Sequence, residues 1–243
     1  MRKQIVLALS LTGCAGASWP EPSTLPGARL LPAEANRTTF AVMPAAGDAI
    51  GYSGQVTRAG LEALKRADDG KVHKLLIRSA GGDLDANIAL GTWVHERALD
   101  VVVVDDCVLT CADYVFPAGA HKTILPGAAV AWTGDAHGAS GIEHVAPPAE
   151  MARLRAKEDA LFTALGVNEC LCRVGDERGL DWGRVFSYRR QVAFFTLSVE
   201  DMARFGVRDV EGDPKNVNRD VRRWLDLTFV DLPRDLNVQT ACR

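Results

Sequence analysis

The stretch from Lys74 to Val104 constrains the fold more than any other part of the chain. Lys74-Leu75-Leu76-Ile77-Arg78 is a compact apolar run that stops at Ser79-Ala80-Gly81-Gly82. Beyond the glycines, Ala86, Ala89, Leu90, Trp93, Val94 and Arg97 recur at helical spacing. Asp83 and Asp85 stand at the N-terminal end of that helix and His95 and Arg97 at its C-terminal end, where charges of those signs suit the helix dipole. Leu99-Asp100-Val101-Val102-Val103-Val104 follows, a β-branched run of the kind found in strands buried on both faces. A strand, a glycine turn, a helix and a strand close as a parallel, right-handed crossover, so the expected class is α/β.

Other segments fit that pattern. Residues 50–55 read as a strand and residues 58–67 as a helix with Leu61, Leu64 and Lys65 on one face. Residues 111–118 read as a short helix, and 122–125 and 129–132 as short strands around the turn at Pro126-Gly127. A charged helix is expected over 148–165, with Met151, Leu154, Ala160, Leu161 and Leu165 as its apolar stripe. Ser198-x-x-Asp201 caps a last helix that stops at Gly206. Residues 212–243 carry Trp224, Leu225, Leu227, Phe229 and Val230, and read as an appended strand or helix docked on the main domain. There is no internal repeat.

Composition narrows the function. With 47% hydrophobic and 24% charged residues, the 243-residue chain has ordinary globular composition and enough length for one domain of moderate size. A net charge of -3 supplies no basic footprint for nucleic acid. No stretch reaches the roughly 18 apolar residues of a spanning helix.

The N-terminus reads as an export signal: Arg2 and Lys3 precede the short apolar run of Ile5, Val6, Leu7, Ala8, Leu9 and Leu11. Leu11-Thr12-Gly13-Cys14 resembles the bacterial lipobox, which implies a signal peptide over 1–13, lipidation of Cys14 and anchoring to a membrane from the periplasmic side. Ala15-Gly16-Ala17 is a competing cleavage site that would release a soluble protein. Prolines 20, 22, 26 and 32 suit an extended tether over 14–47. Export makes disulfides permissible, and Cys107 and Cys111 are close enough to bridge across a turn. Connectivity among Cys170, Cys172 and Cys242 stays open. Cys-x3-Cys with Cys-x-Cys is not the usual zinc-finger spacing, so no metal is expected.

The order of elements carries a resemblance. Gly51-Tyr52-Ser53-Gly54-Gln55-Val56 comes first, then Ser79-Ala80-Gly81-Gly82, then Thr110-Cys111-Ala112 with Ala118-Gly119 after it. Pro126 to Thr133 and Leu197-Ser198 to Gly206-Val207 complete the series. Over about residues 48–210 the chain resembles the Clp protease proteolytic subunit and the crotonase superfamily, in particular bacterial periplasmic ClpP-like proteins, with 211–243 as a C-terminal extension. The resemblance implies a short spiral of mainly parallel strands with outer helices, and no cofactor. Relatives form rings and trimers, so a homo-oligomer is compatible with it.

That family attacks an acyl carbon with a serine at a helix start, assisted by a histidine and an aspartate. Backbone N–H groups of the Gly-Gly turn and of the residue after the serine stabilise the oxyanion. Counted from the matching motifs, the nucleophile's position is Thr110, the histidine's is Thr133 and the aspartate's is Phe194. All three depart from the family. Thr110 keeps a hydroxyl, but Thr133 is no base near neutral pH and Phe194 offers neither charge nor hydrogen bond. Gly81, Gly82 and the N–H of Cys111 keep the backbone cradle. His137, in a Gly-rich segment, is a candidate rescue base, and Cys111 a candidate nucleophile unless it is tied to Cys107. Asp106 and Asp113 read as a strand-end cap and a helix-face charge, and His73, His95, His121 and His144 as residues without catalytic partners. The expected function is a degenerate relative that binds a peptide, acyl group or partner protein without turnover. The alternative is a hydrolase using Thr110.

Overall fold

The computed structural model of the chain describes residues 40–133, 147–172, 174 and 194–238. The β-branched run expected to be buried is the centre of the sheet. Strand β1 (Phe40–Ala46) turns back antiparallel onto β2 (Ala49–Gly54), and from β2 onward every pairing in the main sheet is parallel. The order runs β1-β2-β3-β4-β5-β8, with β3 Lys74–Ser79, β4 Asp100–Val108, β5 Lys122–Ile124 and β8 Val210–Glu211. Strand β6 (Ala129–Ala131) also pairs with β4. A second, two-stranded parallel sheet joins β7 (Phe195–Leu197) to β9 (Thr228–Val230). The class is therefore mixed α/β with a mostly parallel central sheet, as the crossover unit implied.

Strand β4 is the hinge of the architecture because it serves two neighbours on the same edge. Val101 to Val103 pair with β5, whereas Asp106 to Val108 pair with β6. Between these halves the register against β3 slips. Ile77 pairs with Val103, but Ser79 pairs with Cys107, so Val104, Asp105 and Asp106 all oppose Arg78. A bulge of this kind bends and twists a strand, and it re-aims the end of β4 toward β6.

Five α-helices stand among the described residues, and their ends are written in the sequence. Thr57 caps α1 (Arg58–Ala67) by accepting from Gly60 N–H, and Asp83 caps α2 (Leu84–Glu96) by accepting from Ala86 N–H at 2.7 Å. Helix α3 (Pro148–Leu165) starts with proline at its first position and ends at Gly166 in the left-handed region. Ser198 and Asn218 cap α4 (Val199–Arg204) and α5 (Arg219–Leu225). The core gathers Ile50, Leu64, Leu75, Ile77, Leu90, Val94, Val101 and Val103, all fully buried, around the fully buried Tyr114, Phe116 and Trp132. Each such aliphatic side chain is worth about 1.5–3 kcal/mol of transfer free energy.

Three expectations are corrected. Residues 40–46, placed in the tether, form β1, because Phe40 stacks on Tyr52 and the strand finds a free edge on β2. The helix expected over 111–118 is a shorter π-helical turn, Cys111–Val115. The boundary expected at 210/211 falls inside β8, while the segment after it docks on the main domain through α5 and through β9, which pairs with β7.

Candidate functional site

The site is built where two strand ends meet. Strand β3 runs out into Ser79-Ala80-Gly81-Gly82, and β4 runs out through Leu109, which has φ +55, into Thr110. A left-handed leucine is an uncommon conformation, and here it turns the chain sharply from strand into the π-helical turn. Gly81 (φ +82) and Gly82 (φ +147) adopt conformations that other residues rarely take. A Cβ on Gly81 would stand 2.5 Å from Thr110 Oγ1, and one on Gly82 would stand 2.4 Å from the Val56 carbonyl oxygen. The absence of side chains lets the Gly82 N–H donate to Thr110 Oγ1 at 3.1 Å, while the Gly81 N–H donates to Ser79 Oγ at 3.1 Å. A threonine oxygen that accepts in this way still has its own O–H to donate. Gly82 is exposed and Thr110 partly exposed, so this cradle is open to a ligand.

A disulfide locks the turn. Cys107 and Cys111 are bonded across Leu109-Thr110 with their Cα atoms 5.2 Å apart, as the spacing allowed, and both residues are fully buried. With its sulfur in that bond, Cys111 has no thiol with which to attack. Cys170 is also disulfide-bonded, and Cys172 is buried outside any disulfide.

The topology brings the three positions picked from sequence to one end of the sheet. Val108 pairs with Ala131 in parallel register, and Leu109 N–H donates to the Ala131 carbonyl at 3.1 Å, so Thr110 and Thr133 each follow two residues after the last pair of β4 and β6. Trp132 and Phe195 exchange backbone hydrogen bonds of 2.9 and 3.1 Å as an antiparallel bridge, so Thr133 lies opposite Phe194 on the next pair. Thr133 is partly exposed. Phe194 is buried in an apolar cluster with Val108, Ala129, Ala131, Leu225 and Leu227. Ala80 and Leu109, beside the cradle, pack on the same cluster, as do Val217, Val221 and Phe229 from the C-terminal segment. Phe194, picked from sequence for the orienting acid, is thus surrounded by hydrocarbon.

Several charged groups near the strand ends are buried. Asp106, expected as a strand-end cap, and Asp113, expected on a helix face, are both buried. Arg78, also buried, reaches Asp105 Oδ2 at 3.0 Å and Asp106 Oδ1 at 3.5 Å. Burial, with the Asp105 charge alongside, pushes the Asp106 carboxyl up to about 7, although Arg78 opposes the shift. Burial raises Asp105 as well. Behind the π-helical turn, Tyr114 Oη donates to Glu158 Oε1 at 2.6 Å in a fully enclosed contact between the turn and α3. Burial first, and the Asp113 and Glu158 charges after it, hold the phenol well above its usual range. Two adjacent aspartates interrupting an apolar run were the available sequence signal for Arg78, Asp105 and Asp106. Glu158 left none beyond its place on the α3 stripe.

The remaining candidates scatter. His73, His95 and His121 are exposed. Cys14, His137, His144 and Cys242 lie outside the described residues. Among the described residues no cluster of three or more His, Cys, Asp or Glu is arranged to hold a metal ion, and no helix is long and apolar enough to cross a membrane. A separate groove of about 580 Å³ runs along α2 and α3, floored by Ile88, Trp93 and Leu161. Its rim carries Lys65, Lys157 and Glu96, charges of both signs, so its walls select no ligand charge. Compared with known proteins, the chain matches no family model and no curated protein.

Proposed function

We propose that this chain is an exported, ClpP/crotonase-like binding protein with a degenerate triad, which holds a peptide, acyl group or partner protein at the Gly81-Gly82-Thr110 cradle without turning it over. In this reading the sheet is the spiral of that superfamily, Cys14 carries the lipid anchor, and the protein stands on the periplasmic side of a membrane. The observation that carries the proposal is the set of neighbours around Thr110. A hydroxyl and a backbone donor meet in an open cradle, and in this reading the positions of base and orienting acid fall to Thr133 and to Phe194, which is buried among apolar side chains. General-base assistance contributes about 10²–10⁴ in rate, and neither side chain supplies it. What remains is hydrogen bonding to a carbonyl or carboxylate oxygen, beside an apolar wall.

A second reading has one observation in its favour. Leu109 at φ +55 delivers Thr110 on a sharp strand-to-helix turn, a geometry that exposes nucleophiles in hydrolases. On that reading Thr110 attacks, with His137 as base. Treating the purified protein with fluorophosphonate and β-lactone probes separates the two. The binding reading expects no labelling, whereas labelling lost in Thr110→Ala would establish the hydrolase.

A further inference from the structure

We propose that Asp106 is a proton-linked positioning residue: uptake or release of one proton by the Arg78–Asp105–Asp106 cluster shifts the Gly82–Thr110 contact of the cradle. This rests on the cradle being the functional site, but the coupling is measurable without any ligand, so its failure and the failure of the binding reading are distinguishable.

The geometry places the ion cluster and the cradle at two ends of one short unit. Ser79 pairs with Cys107 across β3 and β4. One residue before that pair on each strand stand Arg78 and Asp106, whose side chains meet. Three residues beyond it on each strand stand Gly82 and Thr110, which meet again at 3.1 Å. Both connecting segments are stiffened. On the β3 side, Ser79 Oγ accepts from Gly81 N–H, and on the β4 side, the Cys107–Cys111 disulfide closes the turn. Asp106 also pairs with Ala129 of β6, whose continuation carries Thr133.

The cluster has two arrangements available. Asp105, partly exposed, and Asp106, buried, share the Arg78 guanidinium among the described residues, and the bulge gives both access to it. With Asp106 protonated, the guanidinium belongs to Asp105, which it reaches at 3.0 Å. When Asp106 releases its proton to solvent, a second negative charge appears beside Arg78, and a buried carboxylate left without a good partner is costly. Attraction then draws the guanidinium from Asp105 toward Asp106, closing the 3.5 Å separation. The ends of β3 and β4 move against each other as it does so. The charged groups facing Asp106 are Arg78 from β3 and Asp105 from its own strand. The neighbouring β2 contributes the buried hydroxyl of Ser53, paired in register with Arg78.

The test is an NMR titration of the full chain from about pH 5 to pH 9, a window that brackets a carboxyl raised by burial. It follows the Asp106 carboxyl carbon and the amides of Gly82, Thr110 and, as a remote control, Leu64. The proposal expects Gly82 and Thr110 to titrate with the Asp106 midpoint while Leu64 stays flat, and expects Asp106→Asn to abolish the step in both amides. Flat Gly82 and Thr110 amides while Asp106 titrates would overturn it. A step that persists in Asp106→Asn would overturn it too. Should that variant fail to fold, the wild-type comparison decides alone, because differing midpoints refute the coupling.

Discussion

Opening the Cys107–Cys111 bond is expected to weaken the fold by an amount the geometry sets. The bond closes a loop of about five residues, and the chain-entropy relation for a loop that small gives about 2 kcal/mol at 25 °C. In a Cys170→Ser background, which lacks the other disulfide, reduction keeps both sulfur atoms in place and should lose only this amount. The double substitution Cys107→Ala, Cys111→Ala also empties space at two fully buried positions and should lose about 1 kcal/mol more at each. Urea unfolding followed by far-UV circular dichroism reads both. With an m-value of about 3 kcal/mol/M, the midpoint should fall by about 0.7 M on reduction and by about twice that in the double variant. A midpoint indifferent to reduction would refute the reasoning: it would mean that packing of the π-helical turn against α2, and not the cross-link, holds Leu109 and Thr110 in place.

Other expectations are independent of that one. Because the Asp106 carboxyl is raised to about 7 in the fold, the stability it contributes is fully present below its unfolded value and is lost as pH rises through about 7. Urea midpoints should therefore fall by the equivalent of about 2–3 kcal/mol between about pH 5 and pH 8, and Asp106→Asn should flatten the slope. Gly82→Ala forces a Cβ to within 2.4 Å of the Val56 carbonyl at φ +147, and should cost about 3 kcal/mol by the same assay. Tyr114→Phe removes the 2.6 Å bond to Glu158 and should cost about 1–3 kcal/mol. On the proposed lipidation of Cys14, the protein is expected in the membrane pellet and Cys14→Ser should move it to the soluble fraction or leave it unprocessed, whereas a mature chain beginning at Ser18 would contradict lipidation.

Local signals made much of the fold legible. Pro148 and Gly166 bracket α3, Asp83 caps α2, and the Val101–Val104 run marks the central strand, because each acts through its own backbone and nearest neighbours. Longer-range features stayed hidden. The run of valines suggested an end to β4 at Val104, yet the strand continues through Asp105 and Asp106 because Arg78, distant in sequence, receives both carboxylates within the bulge. Strand β1 was invisible for the same reason: only the free edge of β2 and the Phe40–Tyr52 stack make a strand of a segment that reads as tether. At the site, the hydroxyl, the glycines and the adjacent cysteines were legible as residue types in order. Their meeting depends on the parallel register between β3 and β4 and on the bulge within it, which no local pattern encodes.

The central claim is binding at the cradle without turnover, and one titration addresses both halves. An N-acylated hydrophobic peptide is added to the purified chain while the Gly82 amide resonance and the appearance of cleaved product are followed in the same sample. The Gly82 N–H, which donates to Thr110 Oγ1 in the free protein, is expected to shift and saturate as the ligand's carbonyl oxygen competes for it, with no product above the protein-free control. Product that accumulates and disappears in Thr110→Ala, or a Gly82 resonance unmoved at saturating peptide, would contradict the account.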